Sequence, residues 1–128
     1  MPFSANSHRY VGYATSTDGL KWHRHGDGPV FENDAGGIDV KRVKDNYLML
    51  YESHGGTRYA KSKDGIQWKD AGWLVQKSGE ELDRHGHVTP FLLVDKTAQS
   101  WLVFGAAEAA SWNQNSIAIL PVLLKILN

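Results

Sequence analysis

The sequence contains no cysteine, which excludes disulfide bonds and thiolate metal sites. It also has no surplus of either charge, because 14 Lys and Arg residues balance 14 Asp and Glu residues, and the formal net charge is zero. Strong nucleic-acid binding and adhesion to anionic membranes usually need a basic surplus. We therefore expect neither nucleic acid nor a membrane as the main partner.

Long hydrophobic runs are also absent. The longest apolar stretch, residues 117–127, contains Pro121 and Lys125 and is too short to span a bilayer. The first ten residues do not show a basic segment followed by an apolar run, so no signal peptide is expected. These absences predict a cytoplasmic location.

Glycine and aromatic residues, by contrast, are plentiful. The 128 residues include 13 Gly, five Trp and five Tyr, and these recur where turns and strands are expected. Few stretches show the 3.6-residue period of an amphipathic helix. The composition therefore favours an all-β fold, and the length is that of a single domain over residues 1–128.

One ten-residue segment occurs twice. Residues 13–22 align without gaps with residues 59–68, and both copies have Tyr, Ala, Ser, Asp, Gly and Trp at the same positions. The offset is 59 − 13 = 46 residues, within the range of roughly 40–50 residues that is typical of propeller blades. Each copy is predicted to form a β-hairpin, since Asp-Gly is a favoured hairpin turn.

The remaining strand candidates complete one blade and start another. The full blade is predicted to contain four strands, at residues 38–43, 47–53, 57–62 and 66–69. The last blade is predicted to contain three strands, at residues 88–94, 101–106 and 115–120. With the first hairpin, the blade repeats cover 9–35, 36–76 and 83–120. The sequence thus predicts a partial β-propeller of about two four-stranded antiparallel blades, since a closed ring needs about four to eight blades.

Four segments resemble a known superfamily. Residues 16–22 and 62–68 both read S-x-D-G-x-x-W, residues 45–51 read DNYLMLY, and residues 83–91 read DRHGHVTPF. They resemble the turns, second strands and innermost-strand entries of five-bladed propeller glycoside hydrolases and related enzymes, of the arabinanase-like, invertase-like and mannoside-phosphorylase-like kinds. The resemblance implies a carbohydrate ligand and a site on the propeller axis. The Asn-Asp-Pro and Arg-Asp-Pro motifs of the invertase-like members are absent.

Glycoside hydrolysis uses two carboxylates across the scissile bond. In the families that this chain resembles, such acids come from the innermost strands of successive blades. Asp39 and Asp83 precede or begin the predicted innermost strands, and Glu108 follows the second strand of the last blade. We assign these three as catalytic candidates, with the alternative that Asp39 is a structural residue capping Gly36 and Gly37.

Six further side chains are predicted to bind substrate: Arg42, Glu52, His54, Arg84, His85 and His87. His85 and His87 alternate, so an extended segment would place them on one side. Two imidazoles could bind a metal or a sugar hydroxyl, and we predict a polar ligand, with neither a metal nor another cofactor. The alternative is that both are exposed loop residues.

The other four candidates have structural alternatives too. Arginine presents a fork of donors to carboxylates or phosphates, but arginines such as Arg42 and Arg84 more often pair with nearby Asp or Glu. Glu52 and His54 follow the second strand of the full blade, and Glu108 occupies the matching point of the last blade. Such a carboxylate would serve as a general acid if burial raised its pKa, or it would be a solvated residue at a strand end.

Three tryptophans have open assignments. Trp73, Trp101 and Trp112 either pack in the interior or offer a face to a sugar ring. The tryptophans of the two repeated hairpins, Trp22 and Trp68, are predicted to be structural.

The sequence therefore predicts a carbohydrate-active propeller protein that recognises carbohydrate, and it leaves open whether paired carboxylates also hydrolyse glycosides. The alternatives are a non-catalytic, oligomeric sugar-binding or scaffold module, and a remnant of a larger glycosidase. An open arc of blades leaves strand edges unpaired, and such edges invite partners. We expect a homodimer in which two copies complete a ring, with the apolar residues 121–127 covering the junction.

Overall fold

The computed structural model describes residues 9–97, 99–110 and 114–123. Within these residues the chain forms nine strands, all paired antiparallel, and one single-turn 3-10 helix at Glu81–Asp83. The strands are β1 (Ala14–Thr15), β2 (His23–Arg24), β3 (Asp39–Val43), β4 (Asn46–Ser53), β5 (Gly56–Ser62), β6 (Lys69–Gln76), β7 (His87–Val94), β8 (Ser100–Ala107) and β9 (Asn115–Val122). The predicted all-β class is confirmed.

Consecutive strands pair to form the blades. The central blade has the order β3-β4-β5-β6, and the last blade has the order β7-β8-β9. The two blades are joined as one sheet by a single residue pair, Ser53 with His87. Strands β1 and β2 form a separate hairpin, the first hairpin, through two residue pairs. This architecture is a partial β-propeller, as predicted.

The two Asp-Gly turns have the same internal hydrogen bonds. The carboxylate of Asp18 accepts the amide N–H groups two and three residues later, at 2.8 and 2.9 Å, and Asp64 does the same at 2.9 and 2.8 Å. Gly19 and Gly65 both have a left-handed backbone, with φ of 77° and 78°. The amide donors favour the charged carboxylates, so the pKa of both aspartates lies below its ordinary value.

One strand boundary differs clearly from the sequence prediction. The fourth strand of the central blade was expected over residues 66–69, but β6 runs over Lys69–Gln76. The reason is the turn, because Asp64 holds the amides of Ile66 and Gln67 and keeps them out of the ladder. The strand begins only after Trp68, whose indole N–H donates to the Gly65 carbonyl oxygen at 3.0 Å.

Strand β4 lies at the centre of the molecule and is buried on both faces. Because successive side chains of a strand point to opposite faces, Leu48 and Leu50 face the last blade, and Met49 and Tyr51 face the first hairpin. The core facing the last blade includes Tyr59, Leu92, Leu102 and Phe104, and the core facing the first hairpin includes Val11, Phe31 and Ala60. The central blade is therefore covered on both sides.

The last blade is covered on one face alone among the described residues. Leu92 and Leu120 pack toward the central blade, whereas Ile117 and Ile119 are exposed on the opposite face. Phe91 is partly covered, because the Lys41 ammonium of the central blade lies 4.1 Å from its ring centre. The first part of the predicted apolar tail continues β9 to Val122, and residues 124–127 of that tail lie outside the described residues. Within the described ranges, no helix has the length and apolar character needed to cross a membrane.

Candidate functional site

The predicted site residues lie mainly at one end of the strands, where the chain enters β3 and β7. We name this end of the sheet the entry edge. It contains the starts of β3 and β7 and the ends of β4 and β8, since Ser53 pairs with His87 and His87 pairs with Ala106. Arg42 is not there. It pairs with Tyr47 near the opposite end of β3, is exposed, and lies 5.9 Å from the Tyr47 ring centre.

Two carboxylates at the entry edge connect the central blade to β7. Asp39 forms an ion pair with Lys41 at 2.8 Å, and its other oxygen accepts the Leu92 amide N–H at 2.9 Å. The buried Glu52 forms an ion pair with Arg9, and its other oxygen accepts the Thr89 amide N–H at 3.0 Å. Asp39 and Glu52 therefore each link a positively charged side chain, Lys41 or Arg9, to a backbone amide of β7 in the last blade.

An irregularity in β7 provides one of these amides. The pairing of β7 with β8 shifts between Val88 and Phe91, so Thr89 and Pro90 lack ladder partners among the described strands. Thr89 has φ of 44°, which is unusual for a residue with a branched side chain. The Thr89 N–H therefore points to Glu52 rather than into the ladder.

Asp83 and His87 form a buried group with Thr57. His87 Nε2 lies 3.2 Å from Asp83 Oδ2, and His87 Nδ1 lies 2.9 Å from the Thr57 hydroxyl. A carboxylate accepts, so Nε2 carries the proton and the Thr57 hydroxyl donates to Nδ1. The imidazole is 1% exposed and stacks on Phe104 at 3.9 Å between ring centres. A neutral, fully hydrogen-bonded histidine of this kind stabilises the joint between the two blades.

The pKa values of this group follow from its surroundings. Burial lowers the pKa of His87, and the hydrogen bond to Asp83 opposes that effect without reversing it. Burial alone would raise the pKa of Asp83, but the hydroxyl and amide of Ser78 donate to its carboxylate and hold the pKa below the ordinary value. The group therefore pairs a neutral imidazole with a charged carboxylate at neutral pH.

His85 and His87 do not share a face, contrary to the expectation for an extended segment. Gly86 between them has φ of 100°, and the strand begins only at His87. His85 is exposed, whereas His87 points into the interior. Asp39 is also separate from the Asp83–His87 pair, because it contacts β7 at Leu92, in the second half of the strand.

Contacts made mainly by the backbone bring the loops of four predicted residues together around Gly86, and we name these residues the rim: His54, Arg84, His85 and Glu108. A Cβ atom on Gly86 would lie 2.6 Å from the backbone of His54, and the His85 amide donates to the Ala107 carbonyl at 2.8 Å. Arg84 Nε donates to the Glu108 carbonyl oxygen at 2.6 Å. Three separate loops are thereby held together at the entry edge.

The three tryptophans that the sequence left as either interior or sugar-facing have different surroundings. Trp73 is 40% exposed, and the Arg58 guanidinium lies 4.6 Å from its ring centre. Trp101 is half-buried in β8, and Trp112 lies outside the described residues. No cluster of three or more His, Asp or Glu side chains in the described part of the chain has the arrangement of a metal site.

Sequence reasoning missed Arg9 and Thr57, the partners of Glu52 and His87. Neither belongs to the segments that carry the family resemblance, and neither is close in sequence to the group it contacts. The sequence offers no signal that would have found them, because contacts of this range depend on how the blades pack.

No protein-family model and no curated protein sequence matches this chain. Solved structures do match it. A glycoside hydrolase is 24% identical with a TM-score of 0.72, over 88% of this chain and 35% of its own. An α-L-arabinofuranosidase from Clostridium thermocellum is 17% identical with a TM-score of 0.72, over 96% of this chain and 43% of its own.

A third match is a GH32 β-fructofuranosidase from Bombyx mori, 14% identical with a TM-score of 0.66, over 84% of this chain and 26% of its own. The chain thus spans less than half the length of each of these structures. The likeness agrees with the resemblance seen in the sequence. The chain therefore has the fold of part of the five-bladed β-propeller that these glycoside hydrolases share.

Proposed function

We propose that this chain binds carbohydrate at the entry edge and that the rim makes the polar contacts to the sugar. The observation that carries the proposal is the meeting around Gly86 of the three loops that carry His54, Arg84, His85 and Glu108. Two imidazoles, a guanidinium and a carboxylate offer both donors and acceptors, which is what vicinal hydroxyl groups require. The fold of the matching glycoside hydrolases supports carbohydrate as the ligand class.

Binding is better supported than hydrolysis by the predicted catalytic set. Asp39 and Asp83 each already hold partners within the chain, and those contacts stabilise the blade joint. Glu108 is half-buried, and among the described residues no side chain donates to its carboxylate. Hydrolysis is the second candidate function, and the half-buried position of Glu108 in the rim favours it, with Glu108 as one member of the required pair.

Two arginines provide a matched test of the binding site. Both Arg84 and Arg42 are exposed, but Arg84 belongs to the rim and Arg42 lies at the opposite end of β3. We expect Arg84→Ala to weaken binding of arabinotriose, sucrose or β-1,3-galactobiose at least tenfold, because one donor fork and the position of the Glu108 loop are lost. Arg42→Ala should bind as tightly as the wild type. Isothermal titration calorimetry measures both.

Equal loss in the two variants, or no binding of any of the three saccharides by the wild type, would contradict the proposal. Product release from the same saccharides distinguishes the two candidate functions. If the chain hydrolyses one of them, Glu108→Gln should abolish release while retaining binding. Binding without release supports the non-catalytic module.

We also propose that the exposed face of the last blade pairs with a second copy of the chain. The support is a pair of exposed apolar side chains of β9, Ile117 and Ile119, with Ile117 88% exposed. The same kind of surface on the central blade is buried by its neighbours. Large exposed apolar patches on a soluble chain mark interaction surfaces.

Light scattering at several protein concentrations tests the self-association. The wild type should have the mass of a dimer at micromolar concentration, and Ile117→Lys with Ile119→Lys should have the mass of a monomer. Leu82→Lys is the control, since Leu82 is exposed in the 3-10 helix, away from β9. A wild type that remains a folded monomer would rule the dimer out.

A further inference from the structure

A groove of about 440 Å³ opens at the opposite end of the molecule from the rim. It lies between the segment that follows β2 and the second Asp-Gly turn, and its walls include His25, Gly28, Pro29, Ile66, Gln67 and Trp68. The volume is within the range of small-molecule sites. Strand β5 has seven residues and runs from the entry edge toward this turn, so the two places lie about 20 Å apart.

Both walls of the groove are held by internal hydrogen bonds. On one wall, the Trp68 indole N–H donates to the Gly65 carbonyl, and Asp64 accepts the Gln67 amide at 2.8 Å. On the other, the His25 amide donates to the Tyr13 carbonyl at 2.8 Å, and the two rings pack edge to face at 5.9 Å. The groove is therefore preorganised, which limits the entropy lost when a ligand binds.

The lining has a distinctive chemistry. The half-buried Trp68 and Pro29 offer apolar surfaces, while the exposed side chains of Gln67 and His25 offer hydrogen-bond donors and acceptors. No Asp, Glu, Lys or Arg belongs to the described residues that line the groove. A neutral ligand with C–H faces and several hydroxyl groups fits this combination, and a saccharide is such a ligand.

We propose that this groove is a second saccharide-binding site, separate from the rim. The proposal shares with the proposed function the assumption that carbohydrate is the ligand class. The first hairpin provides an internal comparison, because its equivalent tryptophan, Trp22, is 62% exposed and does not line the groove. The groove thus depends on the contact between the two hairpins and is not a property of each Asp-Gly turn.

Heteronuclear NMR titration with arabinotriose, sucrose and β-1,3-galactobiose tests the groove. With at least one of them, we expect saturable shifts of the Gln67 side-chain amide, the Trp68 indole N–H and the Gly28 amide. The double variant His25→Ala with Gln67→Ala should lower the affinity at least tenfold. Both side chains are exposed, so the fold should be retained. Lys21→Ala, at the position equivalent to Gln67 in the first hairpin, is the control.

The Arg84→Ala variant separates this proposal from the rim proposal. In this variant, the chemical-shift changes at the groove and the saccharide affinity derived from them should be unchanged, because the rim and the groove are at opposite ends of β5. Rim shifts without groove shifts would overturn the second site and leave the proposed function standing. Groove shifts without rim shifts would overturn the proposed rim site and leave the second site standing. The second site is also overturned if the double variant and the Lys21→Ala control bind equally well.

Discussion

Replacing Gly86 with alanine is expected to lower the free energy of unfolding by more than about 3 kcal/mol, which urea titration would measure. Gly86 has φ of 100°, a conformation that alanine adopts only under strain. A Cβ atom there would lie 2.2 Å from the Ser53 carbonyl oxygen, which belongs to the backbone and cannot rotate away. Accommodating the methyl group would separate β7 from β4 at their single shared residue pair.

Gly72→Ala is the control for backbone strain alone. Gly72 has φ of 88°, yet nothing lies within 4 Å of an added Cβ. This variant should lose only the cost of the strained backbone, on the order of 1 kcal/mol. Equal losses for the two variants would show that the close approach at the blade joint adds nothing.

The free energy of unfolding is expected to fall steadily as the pH is lowered below 6.5, because of His87. The pKa of this buried imidazole lies below 6.5 in the folded chain, so the unfolded chain takes up the proton first. Stability is lost wherever the unfolded state binds more protons. The loss begins near pH 6.5 and continues down to the folded-state pKa. Below that, protonation of Asp83, whose pKa lies under 3.8, removes a further contribution.

The double variant His87→Phe with Thr57→Val should remove the upper part of this pH dependence. Phenylalanine keeps the stacking on Phe104, and valine avoids leaving the Thr57 hydroxyl without its acceptor. Asp83 retains the two hydrogen bonds from Ser78. Urea titrations between pH 7.5 and 5 measure the slope. A variant as acid-sensitive as the wild type would assign the effect to other groups.

The parts of the fold that could be predicted from sequence are those with local causes. The Asp-Gly turns are specified by residues within a few positions of one another, and both have the predicted conformation. The pairing of β4 with its neighbours follows from its continuous apolar run and from the short turns on either side of it. The fourth strand was misplaced because the side chain of Asp64 occupies amides that the pattern alone assigns to a strand.

The parts of the candidate site that could not be predicted depend on contacts between blades. Sequence predicted Asp39 and Glu52 as site residues but did not show that each accepts an amide of β7. The positive φ of Thr89, which directs one of those amides, has no residue signature, since threonine rarely adopts it. Spacing put His85 and His87 on one side, and the conformation of Gly86 separates them.

The single residue pair between β4 and β7 has a consequence for the order of folding. The hairpins close through short turns, so they lose little chain entropy and are expected to form early. The blade joint instead needs Leu92 to reach Asp39 and His87 to reach Thr57, over much longer loops. We expect blade docking to be the late step. Substitutions at Asp39 or His87 should then mainly accelerate unfolding and change the rate of folding little.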